Sequence, residues 1–125
     1  MKRDMDIIRN ILLIMSNAPG KLKSEDIVLG NPDADAKAVH YNINQAHQGG
    51  LITGDVVHSM SGDAWYNLEL AWKGNEFLDV VQDDDVWAET KKGMQKVKGF
   101  TFDLAKDMAK GLIKKQIEEL TGVKI

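Results

Sequence analysis

Lys37, Tyr41, Asn44, Gln45 and Gln48 are the residues whose types and spacing could do chemistry together. On a helical wheel of about 100° per residue they fall on one side, and Ala36, Val39, Ile43 and Ala46 fall on the other. Such a strip offers hydrogen bonding to flat polar edges. Asn and Gln pair in bidentate fashion with adenine in the major groove of duplex DNA, and Lys suits guanine or a phosphate. His58, on a neighbouring strand, could add a contact to the backbone or minor groove. An ordinary solvated helix face has the same composition, so both readings stand at this point.

Charge weighs against nucleic acid. The chain holds 16 Lys and Arg against 19 Asp and Glu, a net charge of −3. Nucleic-acid binders usually carry a basic excess, and phosphate contacts supply most non-specific affinity. Positions 31–49 contain one lysine and no arginine, and Asp33 and Asp35 stand near their start. Asp55 and Asp63 flank His58. Arg3, Arg9, Lys21, Lys23 and Lys73 could help only if they fold to the same side.

Other chemistry finds less support. His40 and His47 share a helix flank but stand two turns apart, roughly 10 Å of rise, too far for one ion to be gripped easily. Asp83-Asp84-Asp85 lacks the alternation and glycine of a calcium loop and reads as a helix cap. With no cysteine, thiolate metal sites, cysteine nucleophiles and disulfides are excluded. Gly49-Gly50 and Gly74 lack the companions of a phosphate-cradling loop, and no nucleophile elbow or Ser/His/Asp set stands out. No enzyme, cofactor or metal site is therefore expected. Trp65, Trp72 and Trp87 are expected as core anchors. Lys106, Lys110 and Lys114, with Lys115 beside them, form a basic stripe that Asp103 and Asp107 partly offset by ion pairs along the helix.

The elements that must position these residues follow from periodicity. Met5, Ile8, Ile11, Leu12 and Met15 mark a helix over 4–16, stopped by Ala18-Pro19-Gly20. Ile27-Val28-Leu29 reads as a short strand closed by Gly30. Asn31-Pro32-Asp33 then opens the central helix, which runs to about Gln48 and ends at Gly49-Gly50. Residues 51–58 and 65–70 read as a hairpin, joined by a loop over 59–63 that is too long for a two-residue turn. Helices follow over 74–82, 85–97 and 102–120, the last capped by Thr101 and carrying a broad apolar face.

The predicted fold is α+β, mainly helical: a winged helix (helix, short strand, helix, β-hairpin) with additional C-terminal helices. The 125 residues are 43% hydrophobic and 28% charged, the balance of one globular domain. Residues 1–82 would form the winged-helix core. Residues 83–125 would be a helical extension packed on that core or on a dimer partner. No apolar run approaches the ~20 residues of a membrane span, and Asp4, Asp6 and Arg9 interrupt what would otherwise be a signal-peptide core. A cytoplasmic protein is expected.

Three stretches carry a family resemblance. They are the opening Met1-Lys2-Arg3-Asp4-Met5-Asp6-Ile7-Ile8-Arg9, then Gly50-Leu51-Ile52, then Leu70-Ala71-Trp72-Lys73-Gly74-Asn75-Glu76-Phe77-Leu78-Asp79 followed by Asp83-Asp84 and Trp87. Together they resemble an uncharacterised family of bacterial and prophage proteins, known as a domain of unknown function. The third stretch is the most specific, being similar to that family's L-T-W-x-G-H-x-F-L-D signature. The chain departs from it at Ala71, where a threonine would cap the helix, at Asn75, where a histidine would stand, and at Asn42, where the central helix would carry another. The resemblance reaches to about Trp87. It implies a winged-helix-like fold and brings no activity with it.

These readings converge on recognition. The first expectation is a DNA-binding transcriptional regulator, such as a prophage encodes, with residues 31–49 in the major groove and Lys37, Tyr41, Asn44, Gln45, Gln48 and His58 in contact. Its duplex would be the main partner, with homodimerisation through the C-terminal helix. The rival is a protein-interaction module on the same fold, favoured by the acidic balance.

Overall fold

The computed structural model describes residues 2–29, 36–96 and 101–124. The protein is α+β and mainly helical, with five α-helices and one antiparallel hairpin among the described residues. It divides into two compact units, Met1–Glu76 and Phe77–Ile125, and the boundary falls inside a helix.

The first unit opens with α1, Met5–Asn17, whose N-cap is Asp4. The Asp4 carboxylate accepts from the N–H groups of Asp6 and Ile7 at 2.9 and 3.2 Å, which satisfies two donors that a helix start leaves open. Ile8, Ile11, Leu12 and Met15 are buried, as their spacing requires. α2, Ala36–Gln48, buries Val39, Asn42, Ile43 and Ala46. Its expected start at Asn31-Pro32-Asp33, with Asp35, lies outside the described residues. Its end follows the expected chemistry. Gly50 adopts φ 76°, Leu51 N–H donates to Ala46 O at 3.0 Å and Gly50 N–H to His47 O at 3.1 Å. That pair of bonds is a Schellman closure.

The hairpin comprises β1, Ile52–Ser59, and β2, Gly62–Leu70. The expected long loop is corrected: Ser59 pairs with Gly62, leaving a two-residue turn at Met60-Ser61. Ser59 Oγ lies 2.7 Å from Gly62 O and 3.0 Å from Ser61 Oγ. Gly62 takes φ 120°, a backbone that glycine alone adopts readily. These contacts close the turn tightly.

One bulge decides which side chains of β2 reach the core. The register shifts between Thr53–Glu69 and Asp55–Tyr66, so Asn67 and Leu68 oppose the single residue Gly54. Asn67 sits at φ 55°, and its amide donates to Asp55 Oδ2 at 2.9 Å. Trp65 and Leu68 are an odd number of positions apart, which in a regular strand would put them on opposite faces. The extra residue restores the phase, and both are buried. A Cβ on Gly54 would lie 2.7 Å from Leu68 Cδ2, so the bulge also explains the glycine opposite it.

The strand expected at Ile27-Val28-Leu29 is absent. Leu22 makes an isolated bridge to Leu68 instead, with N–H···O bonds of 3.0 and 2.8 Å. Ser24 Oγ then accepts from Trp65 N–H at 3.0 Å. A 3-10 turn at Ser24–Asp26, held by Lys23 N–H to Asp26 Oδ2 at 2.9 Å, carries the chain off the sheet before it reaches Ile27. Ile27 is buried without being a strand residue.

α3, Trp72–Val81, begins in this unit. A Cβ on Gly74 would collide with the Leu51 carbonyl oxygen, and Ala71 N–H donates to that oxygen at 3.0 Å. Here glycine permits a helix to rest directly on backbone. Trp72 is 80% exposed, which corrects its expected role as a core anchor. It belongs to the first turn of α3, whose buried side, at Phe77, Leu78 and Val81, lies elsewhere. The Asn75 side-chain amide donates back to Ala71 O at 3.2 Å.

The second unit contains the rest of α3 and the pair α4, Asp84–Lys96, and α5, Phe102–Thr121. Asp83 Oδ1 accepts from Val86 N–H at 2.9 Å, and Thr101 Oγ1 from Leu104 N–H at 3.1 Å. Both are the expected caps. Phe77 packs edge-on against Trp87 and Phe102, at 6.4 and 5.5 Å between ring centres. Such arrangements add to area burial through the ring quadrupoles. Gly93 of α4 lets Met108 of α5 come close. Among the described residues no helix is long and apolar enough to cross a membrane.

Candidate functional site

α2 turns Lys37, Tyr41, Asn44 and Gln48 away from its buried side. Lys37 and Gln48 are exposed; Tyr41, Asn44 and Gln45 are half-buried. Gln45 lies at the margin of this strip. Asn42 instead is buried and satisfied. Its Oδ1 accepts from Asp4 N–H at 2.8 Å, and its amide donates to Ala38 O at 2.8 Å. His58 stands on β1, exposed, with Nδ1 2.7 Å from Asp63 Oδ1 across the hairpin.

Two of the five cations that could support this strip are engaged within the fold. Arg9 is buried. Lys21 reaches Glu69 at 3.8 Å, an exposed pair of little energetic consequence. The sequence of the first unit holds seven Lys and Arg against ten Asp and Glu.

His40 and His47 face the hairpin. His47 lies 5.0 Å from the Trp65 ring. His40 lines a small cleft with Ser24, Asp63 and Trp65, and its Nδ1 is buried without a hydrogen-bond partner. No group of three or more metal-ligating side chains occurs among the described residues.

The hairpin supplies a surface that the sequence reading missed. Beyond Gly54, β1 is exposed on both faces. Val57 is 52% exposed, Val56 and Tyr66 somewhat less, and Met60 projects fully from the turn. Residues 51–70 contain no lysine or arginine, but hold Asp55, Asp63 and Glu69. The signal was legible: adjacent valines run toward a methionine in a turn, without a cation nearby.

In the second unit the lysine stripe divides. Lys106 is half-buried, and Lys110, Lys114 and Lys115 are exposed. Lys115 lines a cleft with Asp85, Glu89 and Glu119, where acids offset its charge. Leu104, Ile117, Leu120 and Val123 of the same region are exposed apolar residues.

Residues 2–101 match the family model described as hypothetical protein (DUF2513). A relative from Haemophilus influenzae (strain ATCC 51907 / DSM 11121 / KW20 / Rd), named "Uncharacterized protein", is 30% identical over 126 residues, covering 96% of this chain and 98% of its own length. No solved structure matches significantly.

Proposed function

The chain belongs to the DUF2513 family, and from its surfaces we propose that it is a cytoplasmic protein-recognition module on a winged-helix-like scaffold, with the hairpin as its contact element. One observation carries this reading. The part of the fold that would be the wing exposes Val56, Val57, Met60 and Tyr66 and has no lysine or arginine over residues 51–70. Duplex DNA presents one charge per about 1.7 Å, and affinity for it grows with the phosphates neutralised. A wing bearing carboxylates and no cation gains nothing from that term. Exposed apolar groups rimmed by polar ones are what a protein partner covers.

The test pairs two measurements on the full chain. Anisotropy with a mixed-sequence duplex should show no binding at low salt. Capture from a lysate of the source cell should retain a partner that the Val57→Asp, Met60→Asp double variant loses. Retention by the variant would reject the hairpin as the contact element.

A second reading, a DNA-binding transcriptional regulator, is favoured by the outward strip Lys37, Tyr41, Asn44 and Gln48 on the helix before the hairpin. It calls for binding that weakens steeply and linearly in log salt. It also calls for loss of sequence preference in Asn44→Ala, Gln45→Ala. Under either reading, association of two copies through α5 is supported by the exposure of Ile117 and Leu120.

A further inference from the structure

The two edges of the hairpin differ. β2 is covered on its outer side: Leu22 exchanges backbone bonds with Leu68, and Ser24 Oγ takes the N–H of Trp65. Among the described residues no segment pairs with β1 on the side away from β2. The bond from Trp65 also fixes the phase of the ladder. Because its N–H points away from β1, Trp65–Val56 is a non-hydrogen-bonded pair, and pairs of the two kinds alternate along an antiparallel ladder. The backbone N–H and C=O of Val56, and of His58 two residues on, therefore point outward from the open edge. Natural edges are usually blunted by lysine, proline or a bulge. β1 has no lysine or proline, and the extra residue of the bulge sits on β2.

We infer that β1 accepts an extended peptide segment of a partner protein by strand addition at Val56 and His58, and that this segment is basic, carrying a lysine or arginine opposite Asp55 and β-branched residues opposite Val56 and Val57. Backbone bonds supply such binding, and side chains along the strand select the sequence. Opposed residues of neighbouring strands share a face, so apolar side chains on the incoming segment would cover the two exposed valines. A cation would meet Asp55, whose carboxylate accepts from the neutral amide of Asn67. With no lysine or arginine in residues 51–70, the hairpin does not repel a basic segment; Asp63 faces His58 and Glu69 faces Lys21, whereas Asp55 meets an uncharged amide. The inference rests on the hairpin being the contact element and adds how it binds and what it selects.

The experiment is to pan the full chain against a random-peptide display library, then follow amide exchange of the labelled protein with an enriched peptide. Enriched peptides should place Lys or Arg next to two β-branched residues. Exchange should slow at the Val56 and His58 amides and stay unchanged at Val57, whose N–H already points to β2. Val56→Pro removes an outward N–H and no bond of the β1–β2 ladder, and together with the loss of the valine side chain it should weaken binding at least about tenfold while the circular dichroism spectrum is retained. Asp55→Asn should reduce the preference for basic peptides. Enriched peptides that perturb the methyl groups of Val57 and Met60 without protecting the Val56 and His58 amides would overturn strand addition and leave the hairpin reading standing. Acidic or helical enriched peptides would overturn the proposed segment. Failure to enrich any peptide that touches the hairpin would overturn both.

Discussion

The backbone N–H of Asp4 donates to the buried Oδ1 of Asn42 at 2.8 Å, which ties the residue that caps α1 to the middle of α2. Asn42 is 1% exposed and spends its amide on Ala38 O. Removing it would strand the Asp4 N–H and open space between two helices. Asn42→Ala is expected to cost about 1–3 kcal/mol of stability, read as a lower urea midpoint with an unchanged m-value.

Gly74 and Gly93 both lie where a Cβ would collide, but with different neighbours. At Gly74 the neighbour is the Leu51 carbonyl, which is backbone; at Gly93 it is the end of the Met108 side chain. Backbone cannot step aside, whereas methionine can repack. Gly74→Ala should therefore destabilise by about 2 kcal/mol or more. Gly93→Ala should stay within about 1 kcal/mol of the parent, because the helix-propensity gain offsets the repacking. Thermal melts of the two variants would separate them, and equal losses would reject the distinction.

Asp83 and Thr101 cap α4 and α5. Asp83→Ala and Thr101→Ala should each cost about 1 kcal/mol. The two caps share no partner, so the double variant should show additive losses in equilibrium unfolding.

The exposed hairpin residues should be dispensable for folding. Val57→Asp and Met60→Asp are expected to change stability by less than about 0.5 kcal/mol each, measured by urea titration. A large loss would mean that these side chains pack in the folded protein and are not free for a partner.

Leu120 is 86% exposed near the end of α5. If two copies associate there, sedimentation should show a concentration-dependent dimer that Leu120→Glu shifts to monomer. A monomer at every concentration would reject that association.

The helices were legible because helix signals are local. The spacing of Ile8, Ile11, Leu12 and Met15, the caps at Asp83 and Thr101, and the stop at Gly49-Gly50 each act within a few residues, and each is where the pattern places it. The outward placement of Lys37, Tyr41, Asn44 and Gln48 followed from the same periodicity. What tertiary structure alone decided was non-local. Ile27-Val28-Leu29 has the composition of a strand, but Leu22 and Ser24 take the bonds at the edge of β2. The bulge at Asn67, which puts both Trp65 and Leu68 inside, depends on pairing with a strand more than ten residues away. Trp72 looks like a core residue until the helix it begins buries another side. An apolar residue states only that burial would be favourable. Whether a surface comes to meet it depends on the rest of the chain.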